Sequence, residues 1–228
     1  MFITMEEFQA KPPSERQEPL ICFVGSSGSG KTTTALACDC CRFIPSVTDR
    51  PIRPNEPPHI ALEIFESRGY PLLRITRWCI LQEYIHASPE DFDSLERDGQ
   101  FLWTYVSNRG NRYGTLEVLV QAALASTAEP SIMIITPASA IWLTKTYPGK
   151  VNCFFFEPPA QRMRVLRARE SARSLELRLQ EESLWAKQAE ESDVPFILVP
   201  SRLRTRDKAR LIKQAIRPPY RARTERRR

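Results

Sequence analysis

The sequence predicts an α/β protein built in three layers, a parallel sheet with helices on both faces, with a smaller lobe inserted into it. Two observations carry this prediction. Short apolar runs at residues 20–24, 131–135, 151–156 and 194–199 read as strands buried on both faces, and each is followed by a stretch of helical spacing. That alternation fails over residues 48–114, which are therefore expected to form the inserted lobe.

Taken in order, residues 1–17 are polar and contain proline, and are expected to be a flexible arm. Leu20-Ile-Cys-Phe-Val24 is a strand ended by glycine, and residues 30–42 are a helix. Residues 43–47 suit another strand, before the basic, proline-rich stretch 48–58. Residues 59–87 show no clear period. Ser88-Pro-Glu-Asp91 opens a helix, with serine as the cap, proline in the first turn and acids at the positive end of the dipole. A helix is expected over 115–126, a strand over 131–135, a helix over 138–146 and an apolar strand over 151–156. Pro158-Pro159 opens a charged helical region reaching about residue 192, followed by a strand at 194–199 and a helix at 205–216.

The composition is that of a water-soluble chain: 42% hydrophobic and 26% charged among 228 residues. No apolar run approaches the roughly 18–20 residues needed to span a bilayer. The N-terminus has the features of neither a signal peptide nor an anchor, so a cytoplasmic location is expected. The net charge of +6 sits mainly in segment 217–228, where six arginines face one glutamate, a net +5. This basic tail, expected to be disordered, is the one feature pointing to nucleic acid or an acidic partner. The six cysteines fit no common zinc spacing and read as reduced structural thiols.

The segment that carries chemistry is Gly25-Ser26-Ser27-Gly28-Ser29-Gly30-Lys31-Thr32, which satisfies G-x-x-x-x-G-K-[ST] in full. Glycines let backbone N–H groups curl around phosphate oxygens, and the following helix adds its positive N-terminus. Gly25, Ser26, Ser27, Gly28, Ser29, Gly30, Lys31, Thr32 and Thr33 are thus the expected ATP site. Lys31 would reach the β- and γ-phosphates, and the Thr32 hydroxyl would ligate Mg²⁺. The required setting, a strand before and a helix after, is present. The fold class becomes a P-loop NTPase core with an inserted acceptor-binding lobe and a helical lid.

Downstream, Ser46-Val-Thr-Asp-Arg50-Pro-Ile-Arg53-Pro-Asn-Glu56, Tyr84-Ile-His-Ala-Ser88-Pro-Glu-Asp-Phe92, Phe101-Leu-Trp103 and Arg112-Tyr113-Gly114-Thr115 resemble, in order, segments of the guanylate kinase family. Phe154-Phe-Phe-Glu-Pro158-Pro159 with the arginine-rich helix after it resembles that family's strand and lid. The resemblance covers roughly residues 19–216, making 18–216 the expected guanylate kinase-like domain, and implies a phosphotransferase of nucleoside monophosphate kinase type using ATP and Mg²⁺. It makes 48–114 the acceptor lobe and 160–182 the lid. It further implies that Ser46, Arg50, Arg53, Tyr84, Tyr113 and Thr115 hold the acceptor phosphate. Lys31 and Arg50, with Arg167 or Arg178 from the lid, would then neutralise charge during transfer. Two arginines three apart on a proline-rich loop suit a dianion physically, because their forks can bracket it.

Three departures bear on the substrate. Trp103 stands where the family has a base-reading glutamate, strand 131–136 lacks the family's acidic pair, and about residues 57–83 lengthen the lobe. GMP or dGMP is the first expected acceptor. The alternatives are a ribose bisphosphate-type sugar phosphate, or a catalytically silent module binding a phosphorylated or acidic protein segment. The sequence leaves the oligomeric state open.

Overall fold

The computed structural model describes residues 1–10, 19–38, 41–52, 84–126, 129–168 and 170–216. Arg53, the whole lengthened segment 57–83 and the tail 217–228 lie outside the described residues, as do Cys40 and Cys79.

Two sheets organise the chain. The larger contains β1 (Phe2–Ile3), β2 (Leu20–Gly25), β3 (Arg42–Ile44), β8 (Ser131–Ile134), β9 (Val151–Phe156) and β10 (Phe196–Val199), in the order β1-β10-β9-β2-β8-β3. All its pairings are parallel. The smaller contains β4 (Ser46–Thr48), β5 (Tyr84–His86), β6 (Phe101–Val106) and β7 (Arg112–Leu116), in the order β5-β4-β7-β6. The described helices are α1 (Met5–Ala10), α2 (Lys31–Ala37), α3 (Pro89–Arg97), α4 (Glu117–Ala125), α5 (Pro137–Thr146), α6 (Arg162–Arg167), α7 (Ala172–Glu191) and α8 (Thr205–Ile216).

The apolar runs are continuous because the central strands bury both faces. On β2, Ile21 and Phe23 join one core with Phe154 and Phe156 of β9. Leu20, Cys22 and Val24 join the other, with Val151, Cys153 and Phe155. The smaller sheet has its own core of Val47, Ile85 and Phe92. The described cysteines Cys22, Cys38, Cys41 and Cys153 are buried free thiols. Among the described residues, no group of side chains suits an all-protein metal site, and no helix is long and apolar enough to cross a membrane.

Several elements correct the sequence reading. The flexible arm expected at 1–17 does not hold for residues 1–10. Phe2 and Ile3 pair with Phe196 and Ile197, Phe8 is 1% exposed, and the Met1 nitrogen donates to the carbonyls of Ala189 and Ser192 at 2.8 and 2.6 Å. The single strand expected at 43–47 is two short ones belonging to different sheets. Pro45 stands between them and, having no N–H, cannot continue a ladder. Thr115 lies on β7, and the helix begins after it at Glu117. The lid region is two helices, the second capped by Ser171, whose hydroxyl accepts from Ser174 N. The Ser88 cap forms as expected, accepting from Asp91 N at 3.0 Å.

Candidate active site

The glycine-rich loop leaves the C-terminal end of β2, between β8 and β9, and runs into α2. Gly25, Gly28 and Gly30 have φ of 127°, 77° and 88°. At Gly25 a Cβ would stand 2.5 Å from the backbone oxygen of Phe156, so only glycine fits beside β9. Lys31 Nζ donates to Gly25 O at 2.6 Å and Ser26 O at 2.8 Å, which brings its ammonium across the mouth of the loop. Beneath the loop, buried Lys208 of α8 donates to Ser29 O at 3.2 Å. Burial pushes the Lys208 ammonium below its ordinary pKa, and Glu157 partly opposes this.

A cleft of about 460 Å³ joins this loop to the smaller sheet. Gly25, Ser27, Gly28, Gly30, Lys31, Thr32 and Thr33 line its floor. Ser26 and Ser29 are buried behind it. The opposite wall presents Ser46, Tyr84, Tyr113 and Thr115, all expected from the sequence. Strand register accounts for their convergence: Ser46 lies beside Tyr84 on paired β4 and β5, and Thr48 lies opposite Tyr113 on β7. The rings of Tyr84 and Tyr113 are 5.9 Å apart, and Tyr105 stacks 6.2 Å beyond Tyr113.

Two expected residues fall elsewhere. Arg50 is buried behind Tyr84, with its guanidinium 4.5 Å from that ring and Nη1 donating to Pro51 O at 3.1 Å. Arg167 is exposed on α6 and does not line the cleft, whereas Arg178 of α7 does. The two arginines differ because α7 brings Arg178 onto the loop at Ser27, whereas α6 meets the loop only through its first residue, Arg162, beside Gly28, and Arg167 lies at its far end. Arg178 Nη1 donates to Ser27 Oγ, and Nε donates to Glu170 Oε2 at 2.9 Å with a second bond to Oε1. Burial works to raise the Glu170 pKa, but the fork of Arg178 outweighs it, and the carboxyl ends below its ordinary value.

The sequence reading missed the acidic side of the site. Glu181 lines the cleft and accepts from Asn108 N at 3.0 Å and from the Tyr105 hydroxyl. Glu182 accepts from Ser27 N at 2.6 Å and pairs with Arg162. Burial, then the Glu181 carboxylate, raises the Tyr105 hydroxyl well above its usual range, so it stays a donor. One signal was available: positions 178, 181 and 182 share a helix face by their three- and four-residue spacing. Arg109, in the β6–β7 hairpin, and Trp185, one turn beyond Glu181, also line the cleft. Trp103 lines it too, as the aromatic substitution suggested, and rests 5.7 Å from Trp142.

The donor set suits a polyphosphate: a glycine cradle in left-handed conformations, a lysine at its mouth and a helix N-terminus behind it. Thr32, on the floor, carries a hydroxyl of the kind that ligates Mg²⁺, an ion that takes few protein ligands when phosphates supply others.

No protein-family model matches the chain. A guanylate kinase of Polaromonas sp. (strain JS666 / ATCC BAA-500) is 30% identical over 122 residues, which is 52% of this chain and 57% of that relative's length. Among solved structures, guanylate kinase from Anaplasma phagocytophilum superposes with a TM-score of 0.55 at 16% identity, over 87% of this chain and 84% of that one. At that identity the likeness concerns the fold, and it extends to the P-loop core with its parallel sheet. The chain is thus similar to guanylate kinases, in fold over 87% of its length and in sequence over 122 residues.

Proposed function

We propose that this protein transfers the terminal phosphoryl group of ATP to a nucleoside monophosphate, with GMP or dGMP as the first candidate. The observation that carries the reading is the single cleft with a phosphate-binding loop as its floor and Ser46, Tyr84, Tyr113 and Thr115 on the facing wall. Hydroxyls on that wall suit an acceptor phosphate, and the floor suits the β- and γ-phosphates of the donor.

The chemistry asked of the protein is positioning and charge neutralisation. An acceptor phosphate oxygen is already ionised at pH 7, so no general base is required. Lys31 leaves the carbonyls of Gly25 and Ser26 and bridges β- and γ-phosphate oxygens. Arg178 exchanges part of its pairing with Glu170 for the transferring group. Arg50 acts from behind Tyr84 by holding that ring, and Arg53 belongs to the acceptor clamp by its sequence position. The Thr32 hydroxyl would hold Mg²⁺ together with ATP, and the ion would supply charge neutralisation to the phosphate oxygens. Trp103 offers a face for stacking where a carboxylate would pair with guanine N–H groups, so base preference rests on the remaining wall.

The test is ADP release from Mg·ATP with GMP, dGMP, AMP, UMP, CMP and ribose 1,5-bisphosphate as acceptors. Turnover with a nucleoside monophosphate, abolished by Lys31→Met, is expected. Turnover with the bisphosphate alone would instead identify a sugar phosphate kinase. A second reading, a silent module binding an acidic or phosphorylated protein segment, is favoured by the acidic side chain already seated on Ser27 N. ATP binding without turnover on any acceptor would favour that reading and turn the search toward a protein partner.

A further inference from the structure

The Ser27 N–H belongs to the loop that receives phosphate, yet it already donates to Glu182 Oε1 at 2.6 Å. The second oxygen of Glu182 accepts from Arg162, and the two side chains are only 3% and 9% exposed. A purely structural ion pair between α6 and α7 would need no third partner. Here the third partner is an amide of the phosphate-binding loop, and one turn back Arg178 donates to the hydroxyl of the same serine. Next to Glu182, Glu181 accepts from Asn108 N and the Tyr105 hydroxyl of the acceptor sheet. Consecutive carboxylates of one helix thus grip the nucleotide loop on one side and the β6–β7 hairpin on the other.

A carboxylate on a loop N–H offers the charge and paired oxygens of a phosphate edge. Because it is tethered, it competes intramolecularly, at an effective concentration that free ligand must overcome. We infer that Glu182 sets the nucleotide affinity of this protein: its carboxylate holds Ser27 N–H as a built-in anion, and a polyphosphate binds by displacing it. Displacement also loosens α7, and with it the hold of Glu181 on the acceptor hairpin, so donor binding prepares the acceptor wall. The inference rests on the P-loop being the nucleotide site, as proposed above.

A hydrogen bond to an ionised acceptor is about twice as strong as a neutral one, so Glu182→Gln keeps the shape and weakens the competitor. Titration of a fluorescent ATP analogue, with inorganic pyrophosphate as a competing probe, measures the outcome. Both ligands are expected to bind Glu182→Gln about tenfold more tightly than wild type. Glu190→Gln, an equal change of charge at an exposed position on the same helix, is expected to leave affinity unchanged. Should the single variant fail to fold because Arg162 loses its partner, the double variant Arg162→Gln/Glu182→Gln leaves neither charge alone and carries the same expectation. Affinity equal to or weaker than wild type in the folded Glu182 variant, alongside lost affinity in Lys31→Met, overturns the inference while leaving the nucleotide site intact. Undiminished affinity in Lys31→Met overturns the nucleotide site and the inference together.

Discussion

Replacing Gly25 by alanine tests whether the loop is held by the sheet as well as by its own turns. Gly25 has φ of 127°, a conformation that L side chains rarely adopt and that costs on the order of 1–3 kcal/mol. A methyl there would also lie 2.5 Å from Phe156 O, 3.1 Å from Phe156 N and 3.3 Å from Phe156 C. All three are backbone atoms of the strand paired with β2, with Gly25 opposite Phe156 in the register, so no side-chain rotation relieves the contact. Reaching an ordinary separation requires β2 and β9 to part by several tenths of an ångström at the centre of the sheet, an overpacking strain of about 1–3 kcal/mol. Together the two terms come to about 2–6 kcal/mol, a large share of the roughly 5–15 kcal/mol that holds a domain together. Equilibrium denaturation by urea, followed by tryptophan fluorescence and far-ultraviolet circular dichroism, measures the loss directly. ATP-analogue binding by the fraction that remains folded should weaken in parallel. A loss below about 1 kcal/mol with unchanged binding would refute the strand-held loop.

Two further substitutions address the loop's support and the acceptor wall. Lys208→Met removes the buried donor to Ser29 O. Burial lowers the pKa of Lys208 in the folded state, so the unfolded chain keeps the proton to higher pH and the wild type gains stability as pH rises towards the ordinary lysine value. The variant should lose that alkaline gain, and a wild-type-minus-variant difference that stays flat between pH 7 and 10 would count against it. Trp103→Glu installs a carboxylate on the cleft wall where guanine N–H groups are expected; a bidentate pair of this kind is worth about 1–3 kcal/mol, so GMP should gain about tenfold or more in kcat/KM over AMP. An unchanged GMP-to-AMP ratio would show that the base lies away from Trp103.

What could be read from the sequence was local chemistry. The loop Gly25–Thr32 needs glycines, a lysine and a threonine at fixed short spacing, and the strand and helix that position it directly adjoin it. The same holds for Ser46, Tyr84, Tyr113 and Thr115, each carried by a short segment whose register brings it to the cleft. The features that escaped depend on distant partners. β1 is two residues long and exists only because β10, nearly the whole chain away, offers an edge. The strand break at Pro45 was visible as a proline, but its consequence, a switch from one sheet to the other, required both sheets. Glu182 reads as one more charge on a polar helix until Ser27, 155 positions earlier, is brought against it. Arg167 and Arg178 were indistinguishable as lid arginines, and only the path of α7 over the loop separates them.

The placement of charge around the cleft explains why so much depends on that helix. The proposed donor and acceptor nucleotides would bring many negative oxygens into one cleft, and the described cations on its lining are Lys31, Arg109 and Arg178. Arg178 is matched by Glu170, the loop amide of Ser27 by Glu182, and the acceptor hairpin by Glu181. Carboxylates therefore hold positions where phosphate oxygens would otherwise be favoured, and their buried bonds are strong only while their partners stay in place. In the proposed phosphoryl transfer, substrates would have to replace at least some of these pairings for Arg178 to reach the transferring group. Because Arg178, Glu181 and Glu182 share one face of α7, these exchanges are mechanically coupled. A displacement of that helix which frees Ser27 also moves Arg178 and releases Tyr105. On the proposed reading, the phosphate loop, Arg178 and the Tyr105 wall would respond as one unit, and the binding order would follow from which substrate can dislodge Glu182.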